Sequence, residues 1–307
     1  MDIKESLTRR KLLMQAGLLA AGGIVTQTGL GQELAGLDVA SAGSMRAMLE
    51  GPLKAAAART LHLDLRAHSE GADAVAQAIV NGNLHADVFI PVTAGPMLTV
   101  MHAGKAESAQ PIARTELVLV YSPKSRFAPQ LEAAASGKAN WWEVLQEPGL
   151  RIGRGNPAAD PGARAILFAM MLAAGKYGQP NLVEKVLGPA LNPAQIVPGV
   201  QAALQSGKLD VSSSYKIGVG SLPYIALPKE INLSSQRVRE EHPEVRLTIG
   251  EKTFYPEPLV FYAGLVRGAA NPVGAAAFLK WLRGAEAQEL FRQHQFEAVG
   301  DVAEIRA

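Results

Sequence analysis

The sequence predicts an α/β protein of two lobes, each a mainly parallel sheet flanked by helices. Strand and helix signals alternate as β-α-β-α-β from Leu37 to Ile90, the succession that builds a parallel sheet with helices on its faces. A second alternating region begins after Glu116, and an apolar strand starting at Leu259 leads the chain back. Residues 37–115 and 259–307 are therefore assigned to the first lobe, and residues 116–258 to the second. Ligands of such sheets gather beyond the carboxyl ends of the strands, and a cleft between two lobes closes around small molecules.

Each element follows from local pattern. L-D-V-A-S-A from Leu37 is a short strand, and G-S-M leads into R-A-M-L-E-G-P-L-K-A-A-A-A-R, a helix kinked at Pro52. Strand L-H-L-D-L-R, polar loop H-S-E-G, helix A-D-A-V-A-Q-A-I-V-N stopped by Gly82, and strand A-D-V-F-I come next. The apolar strand T-E-L-V-L-V-Y follows Pro111, then a looser region through Lys138 to W-W-E-V-L-Q. Beyond residue 190, N-P-A-Q-I-V-P reads as a short strand and loop, and G-V-Q-A-A-L-Q-S-G-K-L-D-V-S-S-S-Y as helix, glycine stop and strand. L-P-Y-I-A-L-P-K-E-I-N-L-S continues the second sheet, V-R-L-T-I-G-E-K and P-L-V-F-Y-A-G-L-V-R are strands, and two helices around Gly284 close the chain. Ser44 and the loop from Ser69 to Ala72 fall at strand ends.

The stretch from Arg151 to Arg164, R-I-G-R-G-N-P-A-A-D-P-G-A-R, joins a strand tail to a kinked loop and a long apolar helix that ends near Gly175 and Gly178. Asp160 precedes Pro161, a residue suited to a first helical position, so Asp160 is a candidate N-cap. The unpaired N–H groups of such a helix start also make it a candidate anion site.

Composition narrows the function. The chain has 307 residues, is 48% hydrophobic and 19% charged, and carries a formal net charge of +2. That charge is too mild, and its Lys and Arg residues too scattered, for a nucleic-acid partner. Cysteine is absent, which excludes disulfides, thiolate metal sites, a cysteine nucleophile and a cysteine-linked lipid anchor. The six histidines show no zinc-binding spacing, and there is no nucleophile elbow, P-loop or dinucleotide loop. Residues 1–36 read as an export signal: Arg9 and Arg10 precede a mild apolar run ending near Val25, as in twin-arginine signals. The expected location is the periplasm or another extracytoplasmic space.

From Leu37 to Phe296 the chain resembles the substrate-binding proteins of ABC transporters, and among them the molybdate and tungstate binders. The segments that carry the resemblance are A-S-A-G-S-M, A-D-V-F-I-P, G-R-G-N-P-A-A-D-P-G-A-R, S-G-K-L-D-V-S-S-S-Y-K, L-P-Y-I-A-L-P-K-E-I-N-L and A-A-A-F-L-K-W-L-R-G-A-E-A-Q-E-L-F. The resemblance implies a type II periplasmic binding-protein fold with the ligand in the interdomain cleft, a monomer that passes an oxyanion to a membrane ABC permease, and no cofactor.

It also implies a site. Ser44 matches the first of the family's ligand-binding serines, and Asp160 and Glu230 stand where the tungstate-type branch has carboxylates that reach the metal centre of the oxyanion. The second family serine is replaced: Gly71 is followed by Ala72, which leaves Ser69, or the N–H groups of Gly71 and Ala72, to substitute. Tyr215 is a further candidate donor. A tetrahedral dianion offers only acceptors, so hydroxyls and helix-start N–H groups suit it. Carboxylates beside it repel it by several kcal/mol, unless they ligate the metal centre or are protonated. Otherwise Asp160 is a cap and Glu230 a surface charge. Arg154 and Arg164 either steer anions or are solvated surface residues, and Trp141 and Trp142 either stack on a ligand or belong to the core. The alternatives to molybdate or tungstate are another small anion, sulfate or an organic acid, and an extracytoplasmic enzyme using Asp160 and Glu230 as an acid–base pair.

Overall fold

The computed structural model describes residues 34–307, so the arginine pair and the apolar run of the predicted export signal lie outside the described residues. The described chain opens with β1 (Ala35–Ala42), α1 (Arg46–Glu50), α2 (Pro52–Leu61), β2 (Leu63–Glu70), α3 (Ala72–Val80), β3 (Val88–Ile90), α4 (Ala94–His102) and β4 (Ser108–Arg114). The predicted first helix is two helices, because the chain breaks at Gly51 and Pro52 restarts it at a position where its missing N–H costs nothing.

The chain then builds β5 (Leu117–Tyr121), α5 (Ala128–Ala135), α6 (Trp141–Val144), β6 (Ile152–Gly153), α7 (Pro161–Lys176), α8 (Leu182–Leu187), α9 (Val200–Ser206), β7 (Val211–Tyr215), β8 (Tyr224–Ala226), α10 (Val238–Glu241) and the hairpin β9 (Leu247–Ile249) to β10 (Lys252–Phe254). It finishes with β11 (Val260–Leu265), α11 (Pro272–Leu282), α12 (Ala285–Gln293) and β12 (Ile305–Arg306).

Two main sheets result, with strand orders β12-β4-β11-β3-β1-β2 and β6-β7-β5-β8, and β9 pairs with β10 alone. Both main sheets are mixed, which corrects the expectation of mainly parallel lobes. β1 runs parallel to β2 and β3, but β11 is antiparallel to both β3 and β4. In the second sheet β5 is antiparallel to β7 and β8, and only the β6–β7 pair is parallel. Local pattern reveals a strand but not the end from which it enters its sheet.

β4 lies outside the predicted strands. It carries Pro111, which lacks an N–H for the ladder, and the β11 register shifts between Phe261 and Tyr262 opposite it. The N–H of Tyr262 goes instead to the Pro91 carbonyl, 3.2 Å away.

Two passages of the chain between the main sheets run side by side. Thr115 N–H donates to the Leu259 carbonyl at 3.0 Å, and Glu116, between β4 and β5, accepts from Lys216 and Asn232. α7 is buried on nearly every face from Pro161 to Ala173, as an all-round apolar helix must be. Its first residue therefore has a fixed place in the core, and Asp160, half-buried, stands directly before it.

Candidate functional site

β1 and β2 are paired in register to their last residues, Ala42 and Glu70, so the turn containing Ser44 and the start of α3 emerge side by side. Ser44 sits in the tight turn Gly43–Met45, where neither that turn nor α1 has a side-chain cap. Its hydroxyl oxygen is shielded from solvent and has no protein partner. Ser44 therefore caps neither element.

Gly71 is the N-cap of α3 and has no side chain with which to cap it. It is also where the lobes touch: a Cβ there would stand 2.9 Å from the Ala159 carbonyl oxygen and 3.3 Å from the Asp160 Cβ. Ala72, the first residue of α3, is fully buried. Ser69 does not lie in a loop. It is the penultimate residue pair of the β1–β2 ladder, buried, with its hydroxyl 2.7 Å from that of Ser41. That bond ties it to the neighbouring strand, so Ser69, unlike Ser44, already has a protein partner for its hydroxyl.

On the facing lobe, Asp160 caps α7 by accepting the Gly162 N–H at 3.0 Å. Burial pushes its carboxyl above the usual range, against the pull of the Gly162 N–H and the Arg164 charge. Tyr215 ends β7 with its hydroxyl buried and without a protein partner, 3.3 Å from where a Gly162 Cβ would stand. Burial, with the Asp160 charge next, holds the Tyr215 phenol well above its ordinary value. Asp160, Gly162, Tyr215 and the serines Ser212, Ser213 and Ser214 line one cavity of about 590 Å³.

Gly71, Asp160 and Tyr215 thus come together through the Ala159–Gly162 stretch, Ser44 and Ala72 follow the paired ends of β1 and β2 on the Gly71 side, and Glu230 joins neither group. Glu230 is on the surface with its side chain 60% exposed, and its carboxylate is 3.1 Å from Lys176 Nζ at the far end of α7 from Asp160. A hydrogen bond from its own backbone, and then the Lys176 ion pair, lower its pKa. The expected second carboxylate is therefore a solvated charge, and no acid–base pair with Asp160 exists.

Two arginines depart from the solvated alternative. Arg154 is 1% exposed, its Nη2 bonded to the Pro189 carbonyl, and Arg164 is 4% exposed. Arg164 donates to the Pro157 carbonyl and to Asp73, and stacks on Phe254 with its guanidinium carbon 3.9 Å from the ring centre. The sequence offered one signal for this, the position of Arg164 in the first turn of an otherwise apolar helix.

Glu257 also escaped the sequence reading. It accepts the Gly95 N–H at the start of α4 at 2.9 Å, and burial raises its pKa. Next to it Thr93 adopts φ 79° and ψ 159°, a backbone conformation costly for any residue but glycine. Trp142 stacks on Tyr177 at 3.6 Å and Trp141 is buried, so both belong to packing. Among the described residues no cluster of three or more His, Cys, Asp or Glu side chains could hold a metal ion, and no helix is long and apolar enough to cross a membrane.

With this geometry in place, comparison with known proteins decides the family. Residues 37–297 match the bacterial extracellular solute-binding protein family. The chain belongs to that family. Its working location is accordingly outside the cytoplasm, and it is a binding protein, not an enzyme. A molybdate/tungstate-binding protein of Pyrococcus abyssi is 28% identical over 207 residues, a match that spans 59% of this chain and 59% of that relative's length. One from Thermococcus kodakarensis is 26% identical over 273 residues, covering 80% of this chain and 76% of the relative. In fold, the chain is similar to the periplasmic molybdate-binding protein of Azotobacter vinelandii, with TM-score 0.59 and 20% identity over 85% of this chain and 99% of that one. It is also similar to a sulfate-binding protein of Mycobacterium tuberculosis, with TM-score 0.57 and 16% identity over 87% and 88%. The two-lobed type II binding-protein architecture follows.

Proposed function

We propose that this solute-binding protein captures a tetrahedral oxyanion, molybdate or tungstate, in the cleft between its lobes and delivers it to a membrane ABC permease. The observation that carries the reading is a pair of buried hydroxyls without protein partners, Ser44 Oγ on one lobe and Tyr215 Oη on the other. A buried hydroxyl left without a partner costs free energy, and an anion that offers only acceptors relieves both. The starts of α3 and α7 add backbone N–H groups and the positive ends of helix dipoles. The two curated relatives named above are molybdate/tungstate binders.

Among the described residues, Asp160 is the one carboxylate that lines the cavity with Tyr215. Its raised pKa favours a proton, and a protonated Asp160 donates to the anion where an ionised one would repel it. Ser44, Gly71, Ala72 and Tyr215 supply the other donors. Residues 37–115 and 259–307 form the first lobe and 116–258 the second. The mature protein is a monomer, exported to the periplasm by the arginine-pair signal within residues 1–36.

Titration calorimetry of the mature protein with molybdate, tungstate and sulfate tests the reading. Saturable one-to-one uptake of molybdate or tungstate is expected. Equal uptake of sulfate would favour the second reading, a general dianion binder, which the lack of a second carboxylate at Glu230 makes specific. Uptake of none of the three would end the oxyanion reading.

A further inference from the structure

Arg164 and Asp73 belong to opposite lobes. Asp73 is in the first turn of α3, which packs on the six-stranded sheet, and Arg164 is in the first turn of α7, which follows the edge strand of the four-stranded one. Their side chains meet at 2.6 Å between Arg164 Nη2 and Asp73 Oδ2, and the arginine side chain is 5% exposed against 27% for the aspartate. The other end of the guanidinium donates to the Pro157 carbonyl, within the loop that presents Asp160, and its face is covered by Phe254 of the β10 strand.

One guanidinium therefore fixes three things: the loop before Asp160, the helix start next to Gly71, and the contact between lobes. The Gly71–Ala159 approach lies two residues from Asp73 on one side and within the same loop on the other.

We propose that the Asp73–Arg164 pair is an interlobe latch that sets how long a captured anion is held, with Arg164 as a positioning residue that does not itself touch the ligand. This rests on the oxyanion-capture reading above. The physical case is an asymmetry. When the lobes part, both groups regain water, so the intact pair contributes little to closure by itself. When one partner is deleted, closure must bury the other charge uncompensated, and breaking a buried pair this way is far costlier than having none. Loss of Asp73 is the severe case, because Arg164 is the more buried member. Removing both charges returns much of what either deletion loses.

The test uses release kinetics and lobe separation together. Labelled tungstate bound to the full mature protein is chased with excess unlabelled tungstate. Asp73→Asn is expected to speed release at least about tenfold, Asp73→Glu to restore near-native release, and the Asp73→Asn/Arg164→Met double variant to release more slowly than Asp73→Asn alone. Because the chain contains no cysteine, two exposed positions on opposite lobes, Asn83→Cys and Lys138→Cys, carry spin labels without background. Their separation in the tungstate-saturated protein is expected to shift to longer distances in Asp73→Asn and to return in Asp73→Glu.

Native release rates and native label distances in Asp73→Asn would overturn the latch, and so would single-variant effects that simply multiply in the double variant. If the wild-type protein takes up no molybdate, tungstate or sulfate, the capture reading falls. The latch is then decided by label distances alone: identical distributions for wild type and Asp73→Asn overturn it, and a longer separation in the variant sustains it.

Discussion

Gly71 and Ala159 touch across the cleft, and only the absence of a side chain at Gly71 permits it. An added Cβ would stand 2.9 Å from the Ala159 carbonyl oxygen, closer than such atoms approach, and the obstacle is backbone that cannot swing away. Gly71 has φ −59° and ψ 125°, which alanine adopts without strain. Gly71→Ala should therefore leave each lobe intact while propping the lobes apart. We expect thermal stability of the ligand-free protein within about 0.5 kcal/mol of wild type, and oxyanion affinity lower by roughly tenfold or more. Calorimetry and thermal melts on one preparation check both halves.

Tyr215 should show the opposite division between binding and stability. Its hydroxyl is buried and unpartnered within the protein, so Tyr215→Phe removes a polar group whose burial is uncompensated. Ligand-free stability should stay level or rise by up to about 1 kcal/mol. Affinity for the oxyanion should fall roughly 10- to 100-fold, the worth of a hydrogen bond to a charged group. Ser44→Ala should behave alike, for the same reason. Equal affinity in both variants would remove these hydroxyls from the site.

Glu230 separates what the sequence could tell from what it could not. The strand-end placement of Ser44 and the capping of α7 by Asp160 both follow from short-range pattern, a strand running into a turn and an Asp-Pro-Gly helix start. The motif around Glu230 is equally local, but its ligand role depended on the side of the second lobe to which L-P-K-E-I-N-L turns. After β8, Ile231 and Asn232 donate back to the Pro228 carbonyl, and that tight turn leaves Glu230 on the surface against Lys176. Ser69 departs from the expected loop for a related reason. His68, Ser69 and Glu70 are polar and read as loop, whereas the eight-residue parallel register with β1 extends the strand through them. The burial of Arg164 rests on Asp73, 91 positions away, a pairing that no local window contains.

Glu230→Ala should accordingly leave oxyanion affinity within about twofold of wild type and leave stability little changed, as is usual for an exposed, solvent-screened ion pair. Affinity titrations with molybdate and tungstate check it. A large loss would mean that Glu230 reaches the ligand after all.

Asp210 anchors the loop that carries Asp160. Its carboxylate, almost fully buried, accepts the Arg151 N–H at 2.8 Å, Arg151 Nε at 2.8 Å and Nη2 at 2.7 Å. Burial raises its pKa, but hydrogen bonds from Arg151 and Ser125 outweigh that, and the net shift is downward. A depressed carboxylate contributes stability that is present above its unfolded pKa, about 3.9, and lost as pH falls through its folded value. Asp210→Ala should cost about 2 kcal/mol at pH 7, a figure kept modest because Arg151 is half exposed. Denaturant midpoints of the two proteins should converge in acid, below about pH 4.

Asp160 carries the opposite sign. Its folded pKa is raised, so its contribution to stability is fully present below the ordinary aspartate pKa and is lost as pH rises through the folded value. Arg164 and Asp73 are the charged neighbours that act on it, one lowering and one raising its pKa, and Tyr215 faces it in neutral form. Asp160→Asn keeps the oxygen that accepts the Gly162 N–H, because asparagine caps helices as well as aspartate does. It also keeps a donor toward the anion through its amide. The variant should match wild type in stability at acid pH and become the more stable of the two as pH rises toward neutral. For the ligand, wild-type affinity should weaken as pH climbs and Asp160 loses its proton, while the Asn variant holds affinity within roughly threefold of its acid value, since a neutral donor does not titrate. Calorimetry across the pH range checks the pair. A collapse of affinity in Asp160→Asn at every pH would instead mean that an ionised carboxylate binds the metal centre of the anion directly, a bond an amide cannot replace.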